Sequence, residues 1–208
     1  MSDSIYLAEP GDEEEVSLSR FISLLGVTPG AAATFAPLEG LPLSRAWDIW
    51  RENWFRPHLA PAFVESYLCG IASRIDEVQS IDSLLDPAMP DEMAERSRAA
   101  AKAFLEGKTE MRGNREWLRY AERIETGETP GHVAIVFALQ SALFHLPLPS
   151  ALSAYSWFEF RSRAGKGIPP EATEEEKMVF ATILPDVGVA VSGKSDDSGD
   201  GPGTLRAI

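Results

Sequence analysis

Residues 131–170 read GHVAIVFALQSALFHLPLPSALSAYSWFEFRSRAGKGIPP. Two helix-length apolar segments meet there at a tight Leu-Pro-Leu-Pro joint, and the second ends in a cationic, glycine-rich turn. Segments this apolar belong inside a core. Tyr155 and Trp157 therefore read first as packing residues.

The totals suit such a core. The chain has 208 residues, enough for one large domain or two small ones. A fold of this size hides roughly 70% of the surface its unfolded chain exposes, so it needs no staples. Net charge is −13, with acid concentrated in residues 9–15, 174–176 and the tail. That balance argues against non-specific nucleic-acid binding, which sets Lys and Arg against phosphates. It suits solubility, or a cationic partner protein. Cys69 is the sole cysteine, which leaves no intrachain disulfide and no cysteine-rich metal site. The first fifteen residues lack the basic and apolar regions of a signal peptide. No stretch approaches the ~20 apolar residues of a membrane span. A cytoplasmic protein is the expectation.

Helix punctuation is frequent and strand signals are sparse. Residues 1–15 are polar and predicted disordered. A short helix is expected over 16–25, closed by Gly26, then an extended loop over 27–42. Ser44 is the candidate N-cap of SRAWDIWRENWF. Its Trp47, Trp50 and Trp54 share one helical face, which reads as core rather than as a binding platform. Pro57 and Pro61 break or restart the pattern before a helix carrying Phe63, Tyr67, Leu68 and Ile71. Residues 75–90 read as a mixed connector with one helical turn around Ser83–Leu85. Pro90 and Asp91 open an alanine-rich helix that Gly107 ends. Asn114 caps another, which Gly127 ends. Thr129 and Pro130 are expected as N-cap and first-turn residue of a helix to about His145. Pro149 begins the next, which runs to Arg163. Thr173 and Glu176 have capping-box spacing for a last helix that ends at Pro185. The prediction is an all-α chain: a single helical-bundle-like domain of about eight helices over residues 16–187, with a disordered Gly/Ser/Asp-rich tail at 188–208.

Chemical motifs are scarce. HExxH, G-x-S-x-G, C-x-x-C and the phosphate-loop pattern are absent. His58, His132 and His145 never fall three or four apart, so no helical pair of metal ligands exists. His132 reads as a polar residue bonded locally in preference to a metal ligand, since a lone imidazole is a poor site. The acidic runs read as solvated faces, because nothing there tunes a carboxylate for acid or base work. Arg161, Arg163 and Lys166 form the clearest basic cluster. Two readings of it stand open: cations favouring a helix C-terminus, or a docking point for an acidic partner. Cys69 reads as a buried, inert thiol.

The run LPLPSALSAYSWFEFRSRAGKGIPP resembles the C-terminal half of the urease accessory protein family UreF. That family shows an apolar helix, a short joint, a helix of the type ALxxYxW, and a basic turn ending in V-P-[LF]-G-Q. Ala151, Leu152, Tyr155, Ser156, Trp157, Glu159, Ala164, Gly165 and Pro170 fall on matching positions without a gap. Upstream, FISLLGVTPGAAATFAPLEGL resembles the family's opening helix and loop, with Phe35, Gly40 and Leu41 matching. PDEMAERSRAAAKAFLEG resembles the segment in which E-L-R precedes a small-residue helix. The resemblance covers most of residues 18–185. The chain departs from it in the turn, where Ile168-Pro169-Pro170-Glu171-Ala172 replaces V-P-x-G-Q, and in the tail, where GDGPGTLRAI replaces an H-E…R-L-F pattern.

The resemblance implies an all-α protein that is not itself an enzyme and holds no cofactor. It implies a homodimer that binds the accessory protein UreD (also called UreH), recruits the GTPase UreG, and helps deliver nickel to apo-urease. The positions it offers for partner contact are Phe35, Gly40, Leu41, Tyr155, Arg161, Arg163, Lys166 and Pro170. Two alternatives stay open. The departures suggest an adaptor of the same fold outside urease maturation. A helical enzyme with a cryptic site would need His132 beside Cys69 or a carboxylate, with a perturbed pKa.

Overall fold

The computed structural model describes residues 34–36, 40–106, 114–162 and 172–193. The expected helix over 16–25, the stop at Gly107, the basic turn after Ser162 and the two chain ends lie outside them. Every regular element among the described residues is helical. In order they are α1 (Leu43–Trp50), a π-helix (Arg51–Leu59), α2 (Ala60–Ile71), α3 (Ile75–Leu85), a 3-10 turn (Asp86–Ala88), α4 (Asp91–Glu106), α5 (Arg115–Glu125), α6 (Val133–Leu143), α7 (Leu148–Ser162), α8 (Glu174–Ala181) and α9 (Leu184–Ser192). The all-α prediction holds.

Helix α6 occupies the centre. Its sequence, VAIVFALQSAL, carries no charge, and every residue from Val133 to Ala142 is buried. A helix without a polar stripe has to be enclosed, and α2, α3, α4 and α7 enclose it. Helices α2 and α6 pack closely at Gly70, where a Cβ would lie 2.9 Å from the Ala142 Cβ and 3.1 Å from a Leu139 methyl. Helix α7 is likewise buried from Ala151 to Ser162. Its Tyr155 packs on Phe63 of α2, ring centroids 5.3 Å apart, and meets Phe137 of α6 edge-on.

A second aromatic cluster sits where α1, α7 and α8 meet. Trp47 and Trp50 stack at 4.7 Å, Phe160 stands edge-on to Trp47 at 5.0 Å, and Trp157 meets Phe180 at 4.6 Å. Trp47 and Trp50 are thus core, as the stripe suggested, while Trp54 is half-buried beside His58.

Several expectations need correction. Pro57 does not break the chain, because the helical path runs unbroken from Leu43 to Ile71. In an α-helix the ring of Pro57 would strike the carbonyl of Asn53; the wider π register moves that carbonyl away. The π segment is also tied from outside. Buried Arg51 donates to Asp186 Oδ2 at 2.8 Å and to Thr182 at 2.9 Å, and Arg56 donates to Asp186 Oδ1 at 2.7 Å. The supposed connector at 75–90 holds α3, whose buried face is Ile75, Val78, Asp82 and Leu85. Thr129 and Pro130 do not start α6. Gly131 takes φ +75°, outside the helical region, so the helix begins at Val133 with His132 as its N-cap. Helix α9 crosses the predicted end at Pro185 and runs to Ser192, because Pro185 stands in its first turn, where proline is tolerated. Ser44 is not a cap either, since α1 begins at Leu43 after Pro42; two other caps form as expected. Asn114 accepts from the Trp117 amide at 3.0 Å, and Thr173 with Glu176 forms a full capping box.

Candidate functional site

Five of the eight expected contact positions are described: Phe35, Gly40, Leu41, Tyr155 and Arg161. Arg163, Lys166 and Pro170 lie outside the described residues.

Phe35 and Tyr155 are fully buried, so neither side chain faces a partner; both build a joint around Glu159. Glu159 is a carboxylate inside the apolar helix α7, with no exposed surface. Its Oε2 accepts the Phe35 amide at 3.0 Å and its Oε1 accepts the Tyr155 hydroxyl at 2.6 Å. Burial raises the Glu159 pKa, against the opposing effect of those bonds and of Thr34. Burial, then the Glu159 charge, pushes the Tyr155 hydroxyl well above its ordinary range. Thr34 also accepts the Trp50 indole N–H at 3.2 Å, and its carbonyl accepts Arg96 at 3.4 Å. The residues that matched the family's opening loop and its signature helix therefore hold each other. Further along that loop, Gly40 takes φ +80° and Leu41 is 41% exposed. These two positions do face outward.

Arg161 is a correction as well. It is 5% exposed, its guanidinium lies 5.3 Å from the Trp157 ring centroid, and it stands 3.6 Å from Glu176 of α8. It joins α7 to the capping box of α8 rather than offering a surface cation.

A second buried carboxylate, Asp82, organises the entry to α6. Its Oδ2 accepts the Tyr120 hydroxyl at 2.8 Å, the Thr129 hydroxyl at 2.7 Å and the Gly131 amide at 2.7 Å; its Oδ1 accepts the His132 amide at 2.9 Å. Ser97 of α4 takes the Val133 amide at 3.2 Å, satisfying one of the free donors at the start of α6. The hydroxyl of Tyr120 is held well above its ordinary range by burial and by the Asp82 charge. Sequence reading missed this hub entirely. The signal available was an acid within the apolar spacing of Ile75, Val78 and Leu85.

His132 is fully buried, with its Nε2 3.0 Å from Asp86 Oδ1. Asp86 in turn pairs with Arg98. Burial lowers the His132 pKa, outweighing the attraction of Asp82 and Asp86. An imidazole beside a carboxylate with a lowered pKa is what the cryptic-site alternative required. The ring, however, has no exposed surface, and its backbone is clamped by Asp82. Cys69 is not its neighbour: the thiol is buried next to Glu77 at 3.7 Å, and burial raises its pKa. Among the described residues no group of three or more His, Cys, Asp or Glu is placed to hold a metal ion. None of the described helices is long and apolar enough to cross a membrane.

These elements define an all-α protein with one central helix, whose buried carboxylates fix loops to the bundle. The match to the UreF family model covers residues 30–162, well over half of the chain, and the chain belongs to the UreF family. That family comprises urease accessory proteins rather than enzymes. The matched span takes in the Glu159 joint and the Asp82 hub, and ends at the last residue of α7. No curated protein and no solved structure matches the chain.

Proposed function

We propose that this protein is a non-enzymatic cytoplasmic scaffold of urease maturation. It forms a homodimer, binds UreD-type and UreG-type accessory proteins, and assists nickel insertion into apo-urease without a cofactor of its own. The family match over residues 30–162 carries this reading. The outward loop supports it, since the Glu159 joint anchors Phe35 and leaves Gly40 and Leu41 on the surface. Arg163, Lys166 and Pro170, which follow α7 in the sequence, complete the proposed contact set.

The test is urease activation in cells that carry the urease structural genes and every accessory gene except the UreF-type one. Supplying this chain restores urease activity on the proposed reading. Capture of a UreD-type protein without restored activity favours the adaptor outside urease maturation.

One observation favours an enzyme instead, the His132–Asp86 contact. On that reading His132→Gln abolishes the protein's cellular function while leaving partner capture intact. On the scaffold reading the two properties change together.

A further inference from the structure

The outer face of α5 is charged against its own helix dipole. Arg115 opens the helix and Glu122 and Glu125 close it, all three exposed. A helix dipole favours acid at the N-terminus and base at the C-terminus, and Glu116 and Arg123 satisfy it from other faces of the helix. Arg115, Leu118, Glu122 and Glu125 recur at spacings of three, four and three, which places them on one stripe. Leu118, near the centre of that stripe, is 48% exposed. Beside the stripe runs a groove of about 800 Å³ between α4 and α5, with Leu105, Trp117 and Ile124 on its walls and Arg98 and Lys102 at its α4 side.

We infer that this face docks a second copy of the chain, α5 against α5, antiparallel about a two-fold axis. The inference rests on the homodimer reading proposed above and names its interface. Charge complementarity selects the occupant. In the antiparallel arrangement Arg115 faces the partner's Glu125, and Glu125 faces the partner's Arg115. In the same register each Leu118 lies across from the partner's Glu122, next to the Ala121 that lines the groove of that copy. A parallel copy sets Arg115 on Arg115. A uniformly acidic or uniformly basic helix matches only half of the stripe. The antiparallel dipoles attract each other as well, which accounts for a stripe that its own helix does not favour. Such a pairing is isologous, with one patch serving both copies. A stable interface hides on the order of 800 Å² per partner, so the outer face of α4 has to take part with that of α5.

Light scattering on size-exclusion fractions of the full chain tests the inference. The wild type is expected as a dimer, and Leu118→Asp as a monomer with an unchanged circular-dichroism spectrum. Arg115→Glu is expected to weaken the dimer about tenfold or more, and the pair Arg115→Glu with Glu125→Arg to restore it. The reciprocal rescue is a readout that loss of folding does not produce. A Leu118→Asp chain that remains dimeric overturns the inference and leaves the homodimer reading standing. A monomeric wild type overturns both. A dimer that survives Leu118→Asp but no longer captures a UreD-type protein assigns the groove to that partner and overturns the inference.

Discussion

Replacing Asp82 by alanine removes the acceptor of four donors at once. Tyr120, Thr129, Gly131 and His132 all donate to it, and all four residues are buried. A hydrogen bond to a charged group contributes about 1.5–3 kcal/mol, and a buried donor left without a partner costs about 1–3 kcal/mol. Contributions within one network do not add, and water enters part of the vacated space. The expected loss is therefore about 4–6 kcal/mol, a large share of the ~5–15 kcal/mol that holds a domain together. Asp82→Asn separates the hydrogen bonds from the packing. With its oxygen at the Oδ2 position it still accepts from Tyr120, Thr129 and Gly131, and only the His132 amide then faces an NH₂. Its expected cost is about 1–3 kcal/mol. Urea unfolding followed by circular dichroism measures both, and amide exchange at Gly131 and His132 locates the damage. An alanine variant that loses less than about 1.5 kcal/mol, or an asparagine variant as damaged as alanine, refutes the hub as drawn.

Three further predictions concern the joint, the helix contact and pH. Glu159→Ala frees the Phe35 amide and the Tyr155 hydroxyl, lowers stability by about 2–4 kcal/mol and speeds exchange of the Phe35 amide; unchanged exchange there contradicts the joint. Gly70→Ala sets its new Cβ 2.9 Å from the Ala142 Cβ, so overpacking outweighs the gain in helix propensity, with a net loss of about 1–2 kcal/mol. Adding Ala142→Gly relieves that contact, and a double variant no better than the single one counts against it. His132 has a lowered pKa in the fold, so the unfolded chain takes up the proton more readily. Its contribution is present above the ordinary histidine pKa and is lost as pH falls below it. The melting temperature of wild type minus that of His132→Gln should therefore drop between about pH 7.5 and 5.5; a flat difference contradicts the buried imidazole.

The parts of this fold that depend on local chemistry could be read from residues alone. The apolar runs of α6 and α7, the Asn114 cap, the Gly127 stop and the Thr173–Glu176 box were legible because each works within a few positions. The π-helix was not, because Pro57 alone signals a break, and one tie that holds the path, Arg51 to Asp186, spans 135 residues. The turns after α2 and α6 place Ser73 and His145 at φ 55° and 54°, a conformation that glycine usually announces. Helix α3 was hidden by Asp82, a polar residue on its inner face whose donors come from 38 to 50 residues away. The candidate site divides in the same way. Phe35 and Tyr155 stood out through the resemblance, but their shared acceptor, Glu159, makes them a joint rather than a contact surface. Glu159, flanked by Phe158 and Phe160, was the available clue, since a charge in an apolar helix has to find donors.

The central claim is that this UreF-family chain works as a scaffold for other accessory proteins. Co-expression with candidate UreD-type and UreG-type proteins, followed by size-exclusion chromatography with light scattering, tests it most directly. The account predicts one co-eluting species containing two copies of this chain with the UreD-type protein bound, to which the UreG-type protein adds. Separate elution of this chain, with neither self-association nor UreD-type capture, contradicts it.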